Sequence, residues 1–386
     1  MDISDFLAPI DPPATPEPEE HRKPIRLGDH IRVYSTGQPF PDWSSADIVL
    51  LGVTDDRQAP DNKGCGEAPE AIRKYLYQLT SGPYPLNIAD LGNIRTGHSY
   101  RDTCIALSTV IATLIDQNVI PVIIGGGQDL TYANYEAYER LGQIINIVAI
   151  DPIFDLGSSG QELHSHSYLS HIILHQPNFL FNYTNIGYQT YFVEQDALTL
   201  MQNLFFDTYR LGVVRENLME TEPMVRNADM VSFDISAIRR SDAPGNTNAG
   251  PHGFYGEEAC QICRFAGMSD KLTSIGFYEV NPLLDPSGQT AHLTAQMIWY
   301  FIDGYYNRAH DFPFTSDDNY LKYRVTIHEH AEEIVFFKSK KTDRWWMQIP
   351  IPEEQRMRFA RHYLVPCSYH DYQIASNNDI PDRWLM

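Results

Sequence analysis

Four runs of this sequence end alike: a stretch rich in Val and Ile, of the kind that fills a strand buried on both faces, closes on polar side chains. They are Val122-Ile123-Ile124-Gly125-Gly126-Gly127-Gln128-Asp129, Ile147-Val148-Ala149-Ile150-Asp151-Pro152-Ile153-Phe154-Asp155, Met230-Val231-Ser232-Phe233-Asp234-Ile235-Ser236 and Ser274-Ile275-Gly276-Phe277-Tyr278-Glu279-Val280-Asn281-Pro282. Continuous apolar runs of this length, separated by helical periodicity, read as parallel strands covered by helices on both sides. In an open parallel sheet the ligand crevice lies beyond the carboxyl ends of the strands. Gln128, Asp151, Asp155, Asp234 and Glu279 are therefore expected around one acidic pocket.

The rest of the chain alternates in the same manner. Residues 47–53 read as a first buried strand, and residues 68–79 as a helix with Pro69 in its first turn, where the missing N–H costs nothing. Helical patterns over 102–117, 131–141, 193–205, 255–266 and 289–304 fall between or after strands at 121–124, 144–150, 179–187, 229–234 and 273–280. The expected fold class is α/β, a three-layer doubly wound parallel sheet. Before it, residues 7–24 are dense in Pro and Glu, which predicts an extended N-terminal arm over 1–30. After residue 310 the patterns shorten and alternate, as in Tyr323-Arg324-Val325-Thr326-Ile327 and Trp345-Trp346-Met347-Gln348-Ile349. They predict a small β-rich C-terminal appendage over 311–386, with a short basic helix near 353–363. The α/β domain is then 31–310.

A formal charge of −21 repels phosphates and anionic lipid, so nucleic acid and membrane insertion are set aside. Five cysteines make no disulfide framework, no apolar run reaches about eighteen residues, and the N-terminus lacks the make-up of a secretory signal. A soluble cytoplasmic protein is expected.

Local motifs add little. Gly125-Gly126-Gly127 lacks the spacing of a dinucleotide or P-loop and reads as a tight strand-to-helix turn. Cys260-Gln261-Ile262-Cys263 has no second pair to complete a zinc site and reads as buried helix cysteines. His328-Glu329-His330 does not have the H-E-x-x-H spacing that sets two imidazoles on one helical face, and reads as a loop. The acidic pocket carries more. Carboxylates brought close together repel unless a cation or protons neutralise them, and a hard metal is the usual solution. On these residues alone the alternative stays open that Asp151, Asp155 and Asp234 face solvent separately.

Gly-Gly-Gly-Gln-Asp-Leu-Thr (125–131), Asp-Pro-Ile-Phe-Asp (151–155), Ser-Phe-Asp-Ile-Ser (232–236) and Glu-Val-Asn-Pro (279–282) occur in the order and spacing of the ureohydrolase family. In this the chain resembles arginases, agmatinases and above all formimidoylglutamases, over residues 45–308. The resemblance implies a parallel α/β fold with two manganese ions bridged by hydroxide, acting on a guanidino or formimino carbon. It implies metal ligands at Asp151, Asp155 and Asp234. Where the family has His, His and Asp, this chain has Gln128, Ile153 and Ser236, of which only the Gln128 amide is a candidate weak ligand. Glu279 matches the acid that holds a substrate's cationic end, and His164 and His166 lie where a substrate-side His often stands.

Three of six ligands are thus replaced. The expectation is no metal or one divalent cation (Mg²⁺, Ca²⁺ or Mn²⁺) and not a full manganese pair, in a non-catalytic binding or scaffolding protein. The alternative is a metal-dependent hydrolase of a linear amidine C–N bond. The expected partners are proteins that meet the N-terminal arm or the C-terminal extension, a small amidine or guanidine ligand, and further copies of the chain in a homo-oligomer.

Overall fold

The computed structural model describes residues 2–13, 25–158, 160–312, 319–327, 332–350 and 361–384. The strands of its main sheet are β1 (Leu7–Ala8), β2 (Arg32–Val33), β3 (Ile48–Val53), β4 (Ile88–Ile94), β5 (Ile120–Ile124), β6 (Ile145–Ile150), β7 (Leu180–Tyr188), β8 (Asp207–Arg210), β9 (Met230–Asp234) and β10 (Ser274–Tyr278). They run in the order β1-β4-β3-β5-β10-β9-β6-β7-β8, with β2 also paired to β4. Every pairing is parallel except β1 with β4.

Helices cover both faces, as the apolar strands require. On one side α1 (Ala68–Leu76) packs against the sheet, and on the other lie α2 (Tyr100–Asp116), α3 (Leu130–Leu141) and α4 (Tyr168–Leu174). Beyond β7 come α5 (Gln195–Asn203), α6 (Leu211–Glu216) and α7 (Thr221–Arg226). The long helices α8 (Gly256–Gly267) and α9 (Gln289–Tyr306) then join α1 on the first face. No helix among the described residues is long and apolar enough to cross a membrane.

Strand order brings the polar strand ends together. The chain leaves β5 and returns at β6, three places away, and β9 and β10 later fill the gap. The four apolar runs thus become neighbours in the order β5, β10, β9, β6, with Gln128, Glu279, Asp234 and Asp151 just past or at their carboxyl ends. The glycine run forms the turn from β5 into α3. Gly125 and Gly126 have φ of 87° and 75°, in the left-handed region that glycine favours. A Cβ on Gly126 would stand 2.4 Å from Leu130 Cδ1 and 2.7 Å from the Asp55 carbonyl.

The beginning of the chain packs onto the main sheet. Ile3, Leu7 and Ile10 are buried, and β1 pairs with β4. These three apolar residues anchor the segment despite its proline content, while residues 14–24 lie outside the described ones. Near the C-terminus, β11 (Tyr320–Ile327), β12 (Glu332–Ser339), β13 (Trp345–Gln348) and β14 (Leu364–Cys367) form a separate antiparallel sheet in sequence order, followed by α10 (Tyr369–Ser376). Most of the expected basic helix, and His328-Glu329-His330, lie outside the described residues.

Candidate functional site

The turn after β5 carries Gln128, which is 1% exposed. Its backbone N–H donates to Glu279 Oε1 at 2.9 Å and its side-chain amide donates to Asp151 Oδ2 at 2.8 Å. Asp151, just past β6, has its other oxygen 2.8 Å from the Ile153 N–H. Asp155 is held in the left-handed region at φ 49°. Its Oδ1 lies 3.3 Å from His166 Nδ1, and its buried Oδ2 makes no well-formed hydrogen bond among the described residues. Asp234 ends β9 and accepts the Ser236 N–H at 2.7 Å.

Glu279 follows β10, also left-handed at φ 67°. The Asn62 amide donates to its Oε2 at 2.7 Å and to its carbonyl at 2.9 Å, and the Asn246 amide reaches the same carbonyl at 2.8 Å. His166 stands between the buried Asp155 and the exposed Asp61, whose Oδ2 is 3.4 Å from its Nε2. His164 contacts Gln161 and the backbone of His166 rather than a carboxylate.

The electrostatics follow from burial. Loss of water pushes Asp151 and Asp155 well above the usual carboxylate range, and each also feels neighbouring acids. Burial, then the charge of Asp151, raises Asp234 to about 7; burial, then the charge of Asp234, raises Glu279 to about 7. Asp129, beneath the glycine turn, is raised to about 7 by burial, and neither of its oxygens makes a well-formed hydrogen bond even though the Tyr100 hydroxyl lowers its pKa. These carboxyls favour shared protons or bound cations.

The structure thus brings Gln128, Asp151, Asp155, Asp234, Glu279 and His166 into one network and leaves His164 at its edge. It adds Asn62, Asn246 and Asp61, which sequence reasoning passed over. Asn62 and Asp61 sit in the polar loop after β3, and single loop asparagines carry no pattern that marks them. Cys260 and Cys263 are buried in α8, as their spacing suggested.

Residues 46–303 match the family model described as arginase family. The chain belongs to that family. The arginase-family relatives include formimidoylglutamase of Rhodococcus jostii (strain RHA1), 26% identical over 297 residues, 70% of this chain and 89% of that one. Formimidoylglutamase of Staphylococcus aureus (strain MRSA252) is 25% identical over 313 residues, 76% of this chain and 96% of that one. Among solved structures, Trypanosoma cruzi formiminoglutamase with two Mn²⁺ has a TM-score of 0.64 at 21% identity, over 71% of this chain and 97% of that one. Bacillus subtilis formimidoylglutamase has a TM-score of 0.67 at 17% identity, over 76% and 96%.

These findings correct one expectation. An arginase-family structure of this fold is solved with a manganese pair, which overturns the expectation of no metal or one divalent cation. The similar relatives are named as hydrolases, so they lend no support to a preference for a non-catalytic chain.

Tested against a manganese pair, the donors in this arginase-family chain divide. Asp155 Oδ2, a buried carboxylate oxygen without a well-formed hydrogen bond among the described residues, suits a cation. Both oxygens of Asp151 are engaged, and Gln128 turns an N–H toward that carboxylate rather than a lone pair. Ile153 has no side-chain donor atom and Ser236 only a hydroxyl. Among the described residues no three His, Cys, Asp or Glu side chains are arranged to hold an ion. Asp151, Asp155 and Asp234 are the carboxylates that would hold a cation here, and no chemical step is derived through one.

Proposed function

We propose that this arginase-family chain holds a cationic amidine or guanidine group against Glu279 as a non-catalytic binding or scaffolding protein. Its C-terminal sheet and N-terminal segment then serve as surfaces for protein partners. The observation that supports the reading is the Gln128 amide, which donates to Asp151 at 2.8 Å where the family resemblance expects an imidazole ligand. An amide N–H donated to a buried carboxylate offsets part of the hydration that the group loses on burial.

The test supplies Mn²⁺ to the purified chain and measures binding, together with formamide or urea release, on formimino- and guanidino-type linear amidines. The expected result is binding without product in the parent, and product release once Gln128→His, Ile153→His and Ser236→Asp are combined. A parent that hydrolyses amidines at a rate the triple variant does not improve overturns the reading. The second reading, a C–N hydrolase of a linear amidine, is favoured by relatives named formimidoylglutamase that match over 89% and 96% of their lengths.

A further inference from the structure

Glu279 is fixed more firmly than a carboxylate needs for burial alone. Its backbone sits at φ 67°, a strained region for a non-glycine residue that persists where the surroundings determine it. Its N–H donates to the Gly126 carbonyl at 3.0 Å. Each carboxylate oxygen takes one protein donor: the Gln128 N–H on Oε1 and the Asn62 amide on Oε2. The same Asn62 amide nitrogen also binds the Glu279 carbonyl, so one side chain clamps both the main chain and the carboxylate of its partner.

Asn62 is itself held from the other side. It is 2% exposed, and its Oδ1 accepts from Asn281 Nδ2 at 3.0 Å and from the Thr247 hydroxyl at 3.2 Å. Thr247 is exposed, so a chain of hydrogen bonds runs from the surface through Asn62 to Glu279.

A carboxylate offers about four acceptor sites. With one used on each oxygen, Glu279 keeps acceptor capacity on both. A planar amidinium or guanidinium presents two parallel N–H groups that match a fixed pair of oxygens, whereas an ammonium is a point charge that one oxygen satisfies. Orientation of the carboxylate matters for the first ion and little for the second.

We propose that Asn62 is a positioning residue that fixes Glu279 as a two-oxygen acceptor and so selects planar amidinium over ammonium ligands. This rests on the reading that Glu279 receives the cationic group. The experiment measures dissociation constants of the full chain for acetamidinium and ethylammonium, two small ions of equal charge. The parent is expected to prefer acetamidinium. Asn62→Ala should cut that preference about tenfold while ethylammonium affinity stays within about twofold, the tenfold corresponding to loss of a single well-formed charge-assisted bond. Thr247→Val, at an exposed position, should shift the preference less but in the same direction without moving the melting temperature. Glu279→Gln should weaken both ions.

If Glu279→Gln leaves both affinities unchanged, the reading of Glu279 fails. If it weakens them while Asn62→Ala and Thr247→Val leave the preference unchanged, the role of Asn62 alone fails. A loss of affinity equal for both ions in Asn62→Ala marks a structural role and also overturns the proposal. Should Asn62→Ala not fold, an unchanged preference in Thr247→Val decides against it.

Discussion

At the scale of single residues, the pocket is governed by the work of burying acids together. Burial raises Asp151 and Asp155 well above the ordinary range and Asp129, Asp234 and Glu279 to about 7. These carboxyls bind protons more tightly in the folded chain than in the unfolded one, where they titrate near about 4. Folding therefore takes up protons, and the stability they contribute, complete below about 4, is lost as pH rises through about 7. Thermal melts in chelator should show a higher Tm at pH 5 than at pH 8; a Tm that climbs between those values would contradict the electrostatics. The acids themselves were legible because each closes an apolar run. Asn62 and Asn246 were not, because their role depends on Glu279, which is 217 residues from Asn62 in the chain.

At the scale of elements, β3, β5, β6, β9 and β10 announce themselves as unbroken apolar runs, whereas β4 does not. Its sequence Ile88-Ala89-Asp90-Leu91-Gly92-Asn93-Ile94 looks like a loop, yet Asp90 is fully buried. Arg73 of α1 explains it: the guanidinium, also fully buried, binds Asp90 through Nε at 2.8 Å and Nη2 at 2.9 Å, and the Tyr77 hydroxyl adds a third bond at 2.8 Å. A charged residue is accommodated in this strand because α1, whose Arg73 lies 17 residues earlier in the chain, supplies its counter-ion. Arg73→Met should therefore cost about 3–5 kcal/mol, the penalty of stranding a buried charge, read from urea unfolding. Combining it with Asp90→Leu should recover a large part of that loss. A double variant no more stable than the single one would show that packing, rather than the ion pair, sets the fit of α1 on β4. The short edge strand β8 and the four-residue β14 escaped notice for another reason: four residues are too few to display a period.

At the scale of the whole molecule, the β character of the C-terminal extension was legible in its alternation, but its docking was not. The junction centres on Asp229, immediately before β9 and fully buried. Arg361 binds its Oδ1 through Nη2 at 2.7 Å from 132 residues further along the chain, while Lys271 lies 3.5 Å from Oδ2. Burial alone would raise the Asp229 carboxyl, but Lys271 and Arg361 together hold it below the ordinary range, and burial pushes Lys271 down to about 8. Arg226 reinforces the contact by donating to the Trp345 carbonyl at 3.2 Å and lying over the Trp346 ring at 4.5 Å. Asp229→Asn keeps the shape and removes the charge, leaving a buried ammonium and a partly exposed guanidinium without their anion. Because Arg361 keeps 40% of its side chain in water, the expected cost is about 3 kcal/mol, the low end for breaking a buried pair. Asp229 lies at the opposite end of β9 from Asp234, so the loss should fall on docking and not on the pocket. Calorimetry of Asp229→Asn should resolve an early transition of the extension ahead of the main one, with acetamidinium binding intact below it. A single transition at the parent's Tm would show that the extension is held by its apolar contacts and that the charge cluster is incidental.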